Sequence, residues 1–282
     1  MRFTIITPVL NRAGMIAQAL DSVARQGYPG VEHIVIDGGS TDGTVDILKR
    51  SPGIHWISEP DSSRYEAINK GIQIATGDVI GHLNSNDILL PGALAGVADG
   101  FATDRSAEAA CGGAQVARFL TDGTISAIKV YNDELIKRLD WHCVAFGEPI
   151  SNARFFRRSW YRRAGLYNLH YKLAADRDFL IRSLILNIHT VAVERIVYQY
   201  RIQPCLPNTE HEVPHHCLHD EYLTIAHTYM TRSDIPEPLR RMAYRWFVVE
   251  SMRRLGFLAG QRNWAELNRS LWVTLRGLTG RA

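Results

Sequence analysis

The chain has 282 residues, 46% of them hydrophobic and 22% charged, with a formal net charge of +3. This is ordinary globular composition, with room for one large α/β domain and an appendage or for two small domains; it excludes a disordered chain and a strongly nucleic-acid-binding one. The four cysteines make no CxxC pair, no apolar run reaches the ~18 residues that a spanning helix needs, and the N-terminus lacks a signal-peptide layout, so a reducing, cytoplasmic setting is expected.

The first hundred residues alternate between strands and helices. "RFTIITPVL" is a β-branched run stopped by Pro8 and Asn11, and "GMIAQALDSVARQG" sets Ile16, Leu20 and Val23 at helical spacing before Gly27. "VEHIVIDGG" reads as a second strand. The helix "STDGTVDILKRS" follows, entered through Ser40, Thr41 and Asp42, all good N-cap types. "GIHWISEP" is a third strand, "RYEAINKGIQIATG" a helix with Ala67, Ile68, Ile72 and Ala75 on one side and Gly77 after its end, and "DVIGHLNS" a fourth strand. Near-continuous apolar strands alternating with helices predict a parallel sheet covered on both faces.

In such sheets ligands bind beyond the carboxyl ends of the strands. Polar residues collect there: Thr7, Pro8 and Asn11 after the first strand, Asp37 after the second, Glu59, Asp61 and Arg64 after the third, Asn86 and Asp87 after the fourth. A single polar strand end is a turn; four in succession point to a ligand. The dinucleotide fingerprint GxGxxG is missing after strand one, where the chain reads "TPVLNRAG", and there is no P-loop. Asp37 suits the acceptance of a hydrogen bond from a base N–H or a ribose hydroxyl. Asp87 beside Asn86 offers oxygen ligands to a divalent cation, Mg2+ or Mn2+, of the kind held by one or two carboxylates together with substrate phosphates. A cation so placed stabilises charge on a departing diphosphate.

Four stretches in order, "TIITPVLNR", "HIVIDGGSTDGT", "SEPDSSRYEAINKGIQIATGDVIGHLNSND" and "AADRDFLIR", cover residues 3–201 and resemble the inverting family 2 glycosyltransferases. The resemblance implies a GT-A fold, an α/β architecture that is Rossmann-like, with a mostly parallel central sheet, here extended by a helical C-terminal region. It implies transfer of a hexose from a nucleotide diphosphate to a hydroxyl, in bacterial surface polysaccharide or glycolipid assembly. A UDP-sugar is the first expectation for the donor, with GDP- and dTDP-sugars as alternatives, and the acceptor is a glycan or lipid-linked molecule. The donor-binding set carried over is Thr7, Pro8, Asn11, Asp37, Asp61, Arg64, Asn69 and Asn86, with Asp87 facing the metal and Asp176 as the base. Three positions depart from the family pattern: Gly38 and Ala175 replace acidic neighbours, and Asn86 replaces a carboxylate, which predicts weaker metal affinity without loss of the metal. Two other readings stay open, a sugar-phosphate nucleotidyltransferase and a catalytically degenerate sugar-nucleotide-binding protein.

Asp176 also suits an N-cap of the helix "DRDFLIRSLILN", and Asp178 with Arg182 reads as a helix-surface pair. Residues 1–203 then form the catalytic domain and 204–236 a His- and Pro-rich loop and helix. In that segment His211, His215, His216 and His219 read as solvated, with a diphosphate contact or a structural zinc as lesser alternatives. Residues 237–282 form a basic tail of two helices with nine Arg, three Glu and no Lys. Its Trp246, Trp264 and Trp272 fit either an anionic membrane surface or packing on the catalytic domain, with a homodimer contact as a third possibility.

Overall fold

The computed structural model describes residues 1–119, 125–202 and 215–260. In chain order the elements are β1 (Phe3–Val9), α1 (Ile16–Ala24), β2 (Val31–Asp37), α2 (Thr44–Arg50), β3 (Ile54–Ser58), α3 (Arg64–Ile74), β4 (Val79–His82), β5 (Ile88–Leu89), α4 (Ala93–Thr103), β6 (Ala109–Phe119), β7 (Ile125–Tyr131), α5 (Glu134–Arg138) and α6 (Trp141–Phe146). A 3-10 turn at Ser151–Ala153 leads into β8 (Arg154–Arg157), followed by α7 (Arg158–Ala164), α8 (Ala175–Ile185), β9 (Thr190–Ile202), α9 (His215–Thr231) and α10 (Glu237–Gly260).

The sheet runs β3-β2-β1-β4-β8-β6-β9-β5, with β7 paired to β6. Its first half, β3-β2-β1-β4, is the parallel sheet that the alternation predicts. The second half is mixed: β8 runs antiparallel to both β4 and β6, β9 runs parallel to β6, and the short β5 is antiparallel to β9. The central strands β1 and β4 are buried on both faces, and the side-chain period of two divides the sheet between two apolar clusters. Ile6, Ile34 and Ile36 face one layer, with Ile68, Phe179 and Trp246. Phe3, Ile5 and Val35 face the other, with Leu20, Leu48 and Leu94.

Local details separate expectation from outcome. Gly77 is needed where the chain leaves α3 and crosses β1: a Cβ there would sit 2.6 Å from the Thr4 backbone nitrogen. The cap of α2 is not one of Ser40, Thr41 or Asp42 but Gly43, at φ +94°, where glycine meets no Cβ penalty. Ser40 is drawn off to Asp37, while Asp42 Oδ1 still accepts from the Thr44 N–H at 3.0 Å. The Asp178–Arg182 pair forms, at 2.9 Å, but in the interior: Asp178 is buried and also accepts from the Tyr229 hydroxyl at 2.8 Å. Trp246 lies buried in the first cluster, against Tyr222 of α9, and so takes the packing alternative. Trp264, Trp272, His211 and the second tail helix fall outside the described residues, as do the side chains of His215 and His216. His219 pairs with Glu250 of α10. No helix among the described residues is long and apolar enough to cross a membrane.

Candidate active site

An open cleft of about 560 Å³ lies at the carboxyl ends of the parallel strands, walled in part by Pro8, Gly38, Asp61, Arg64, Asn86 and Asp87. The β5–β9 pairing, with Ile88 opposite Gln199, brings the 84–87 turn against β9. The turn closes by the Asp87 N–H donating to the Asn84 carbonyl at 3.0 Å. Asp87 is only 2% exposed. Its carboxylate accepts from the Tyr198 hydroxyl at 2.7 Å, the Arg201 N–H at 2.8 Å and the Asn84 amide at 3.0 Å. Burial pushes this carboxyl above its ordinary range, and the three donors pull it back. Asn86 donates to the Arg201 carbonyl at 3.2 Å.

Four of the expected residues stand behind the cleft wall rather than in it. Asp37 is fully buried, and its oxygens accept from the N–H groups of Gly39 and Ser40, the Ser40 hydroxyl, and the Ser58 hydroxyl at 2.7 Å. It folds the glycine turn back on itself. Asn11, at φ +50°, accepts from the Thr41 N–H at 2.9 Å and ties the first two strand-end loops together. Thr7 bonds His33 across β1 and β2 at 2.9 Å. Asn69 braces the backbone of Tyr167 through both ends of its amide, at 2.9 and 3.0 Å.

Asp61 differs. Its Oδ1 pairs with Lys70, which also contacts Glu59 at 2.8 Å, whereas its Oδ2 is buried with no hydrogen-bond partner among the described residues. Burial raises this carboxyl too. A Cβ at Gly38 would stand 3.7 Å from that oxygen, in ordinary contact with it. A buried acceptor without a protein donor calls for a reason, whether strain, an ordered water or a ligand.

A second cavity of about 350 Å³ lies deeper and shares Arg64, Asn84 and Tyr200 with the cleft. Asp176 lines it. Ala174, not Asp176, is the cap of α8, and it makes no side-chain cap bond. Asp176 accepts instead from the Tyr65 hydroxyl at 2.9 Å and from the Ser151 hydroxyl at 2.6 Å. Arg64 donates to the Tyr65 oxygen at 2.7 Å and to the Leu173 carbonyl at 3.2 Å. His82 closes the back of this cavity between Tyr161 and Tyr167, and burial holds its imidazole down at about 4, so it is neutral at pH 7.

Sequence reasoning missed Tyr65, Ser151, Tyr198 and Arg201. Tyr65 adjoins a chosen residue and was within reach; Tyr198 and Arg201 become neighbours only through strand pairing, and Ser151 only when the 3-10 turn packs against α8, so they carry no local signal.

Among the described residues no three His, Cys, Asp or Glu side chains converge as a metal nest. A carboxylate offers about four lone-pair directions. Three donors at Asp87 leave room for a single further bond. The residues therefore fit a divalent cation shared with a diphosphate, with Asp87 and Asn86 on its protein side, and not one caged by protein alone.

The family model of glycosyl transferase family 2 matches residues 4–164, more than half of the chain. A PGL/p-HBAD biosynthesis glycosyltransferase of Mycobacterium bovis is 33% identical over 194 residues, covering 64% of this chain and 68% of that protein. A glycosyltransferase of Mycobacterium tuberculosis is 32% identical over 190 residues, with the same coverage of each, 64% and 68%. Among solved structures, S. aureus TarS 1-349 in complex with UDP-GlcNAc aligns with TM-score 0.74 and 15% identity over 98% of this chain and 81% of that one. The mannosyltransferase PcManGT from Pyrobaculum calidifontis, in complex with GDP-Man and Mn2+, aligns with TM-score 0.61 and 15% identity over 100% and 88%. At such identities these two structures share the fold.

Proposed function

The chain belongs to glycosyl transferase family 2 and has the GT-A fold, and from that premise we propose that it is an inverting enzyme moving a hexose from a nucleotide diphosphate to an acceptor hydroxyl. One observation carries the reading. Asp176 lies in a cavity that shares a wall, at Arg64, Asn84 and Tyr200, with the cleft holding Asp61 and Asp87. A nucleotide sugar in the cleft would reach its anomeric carbon towards that wall, and an acceptor in the inner cavity would approach from the opposite side.

In this reading Asp61 Oδ2 accepts from the imide N–H of the base, the role that Asp37 suggested in the sequence but cannot take while four donors enclose it. A uracil or thymine base satisfies this oxygen, as does the N1–H of guanine; the fold relatives bound to UDP-GlcNAc and GDP-Man are consistent with either class. Arg64 sits where the diphosphate must pass and offsets its charge. The Asp176 carboxylate takes the acceptor's hydroxyl proton as that oxygen bonds to the anomeric carbon. The bond from that carbon to the diphosphate breaks, its electron pair leaves with the nucleoside diphosphate, and the anomeric configuration inverts. Tyr65 and Ser151 hold the carboxylate by its two oxygens. When bound beside Asp87 and Asn86, Mg2+ or Mn2+ supplies charge neutralisation for the departing diphosphate. The acceptor is a glycan or a lipid-linked molecule, the chain acts at the cytoplasmic face of a membrane, and the basic outer side of α10 meets anionic lipid there.

The test is a thermal-shift panel of UDP, dTDP, GDP, CDP and ADP with and without Mn2+, followed by turnover of the matching sugar donors. UDP, dTDP and GDP, whose bases carry a ring N–H, should stabilise the protein more than CDP and ADP, more so with Mn2+, and Asp61→Asn should flatten the ranking. Binding without turnover of any donor would favour the binding-only reading over the enzymatic one.

A further inference from the structure

The residues 172–174 that lead into α8 present three consecutive backbone N–H groups to one carboxylate, and it comes from α9. Lys172 N donates to Glu221 Oε1 at 2.8 Å, and Leu173 N and Ala174 N donate to Oε2 at 2.9 and 2.8 Å. The orphan N–H groups at a helix start are normally met by a side chain at the N-cap, but Ala174 has none to give. Glu221, from a distant helix, instead meets the N–H of Ala174 and of the two residues before it, with charge-assisted bonds and a negative charge where the helix dipole favours one. The carbonyl of Leu173, on the same short segment, lies 3.0 Å from the Tyr65 hydroxyl and shares its one proton with Asp176 at 2.9 Å. The adjoining Tyr222 lays its ring under the Arg177 guanidinium at 4.5 Å and lines the inner cavity.

We propose that Glu221 is a positioning residue for Asp176: it fixes the entry to α8, and through Leu173 and Tyr65 it fixes the direction in which the Asp176 carboxylate faces. This rests on the assignment of Asp176 as the proton acceptor. The α9 segment then belongs to the chemistry of the catalytic domain as well as to its packing. A carboxylate displaced by about 1 Å from its productive geometry costs up to 10²-fold in rate while leaving a separate nucleotide cleft intact.

The experiment compares Glu221→Ala, Glu221→Gln and Asp176→Asn in the full chain, measuring kcat, donor KM, the nucleotide thermal shift and the pH profile of kcat. Glu221→Ala should lower kcat by roughly 10- to 100-fold, with donor KM and the nucleotide shift within twofold of the parent, and should displace the acidic limb of the profile. Glu221→Gln keeps an acceptor oxygen and should recover part of the loss. A purely structural role would lower the melting temperature and leave the limb where it was, which would overturn the proposal. It is overturned as well by parental kcat in Glu221→Ala, by equal losses of kcat and donor affinity, or by failure of both Glu221 variants to fold. If Asp176→Asn itself turns over like the parent, the base assignment has failed. If Asp176→Asn is inactive while Glu221→Ala is normal, only the positioning role has failed.

Discussion

The outer cleft takes its wall from residues 8–87 together with residues 200–202, whereas the inner cavity draws on α3, residues 148–152, α8 and α9, spread from Arg64 to Tyr222. The first is built from strand ends, which adjacent parallel strands deliver to one edge by register alone. The second is built from side chains that meet only after the helices have packed. Asp87 is held by its own turn and by β9, while Asp176 is held by a tyrosine of α3 and a serine of the 3-10 turn. Damage to the cleft should remove nucleotide binding. Damage to the cavity should remove turnover and spare binding.

The largest effect should come from Asp87. Asp87→Ala should abolish transfer and erase the Mn2+-dependent part of the nucleotide thermal shift. Removing the carboxylate also strands Tyr198, Arg201 N and Asn84 without their acceptor, a cost of about 1–3 kcal/mol in stability for buried groups. Asp87→Asn keeps the shape and isolates the charge. Near-parental turnover in either variant, or indifference of the parent to a chelator, would remove the cation from the reading. The next effect lies across the wall: Asp176→Asn should slow transfer by roughly 10²- to 10⁴-fold, the usual range for a lost general base, with nucleotide affinity unchanged. If that variant binds nucleotide poorly, the two regions are one site and the contrast between them collapses.

The contrast also explains what could be read in advance. The strands and helices up to residue 83 were legible because each carries its own periodicity, and Asp61, Arg64, Asn86 and Asp87 were legible as cleft residues because strand ends converge. Asp37 was legible as a strand-end carboxylate but not as a turn-former, since the amides of Gly39 and Ser40 close on it only in three dimensions. The second half of the sheet was opaque. β6, "AACGGAQVARF", is rich in small residues and takes its partners from β7, β8 and β9, all later in the chain. Glu221 had no local signal at all, because its three donors lie 47 to 49 residues away.

A smaller effect should appear in the acid range. His33 and His82 are buried neutral, each held at about 4 by desolvation. In the unfolded chain they titrate at 6.5, so between 6.5 and about 4 the unfolded state binds more protons and stability rises with pH. Acidification from pH 8 to pH 5 should therefore cost on the order of 2 kcal/mol for each histidine. Asp61 and Asp87, raised by burial, act in the opposite sense as they take up protons. Urea unfolding at the two pH values should show the loss, and His33→Gln, outside both cavities, should remove its share. A His33→Gln variant that loses as much stability as the parent between pH 8 and pH 5 would mean that the His33 imidazole is already solvated.

The smallest effect concerns the face of α10 turned away from both cavities. Arg241, Arg245 and Arg253 are exposed there, beside Tyr244 and Met252. Glu237 pairs with Arg241 at 3.0 Å, and Glu250 lies 3.5 Å from Arg253, so much of their charge is already answered. With Trp246 turned inward, attraction to anionic lipid rests on these arginines more than on an inserted ring. Deleting the helix is a poor test, since it would uncover the apolar partners of Ala243, Trp246 and Phe247 and drive aggregation. Arg245→Gln leaves the packing untouched. It should lower partitioning onto vesicles containing anionic lipid by about fivefold at low salt, the equivalent of one arginine near the headgroups, and the difference should shrink at high ionic strength. Partitioning that ignores lipid charge, salt and Arg245 alike would leave α10 with one task, covering α6 and α9, and would place both working surfaces of the molecule on the side of the two cavities.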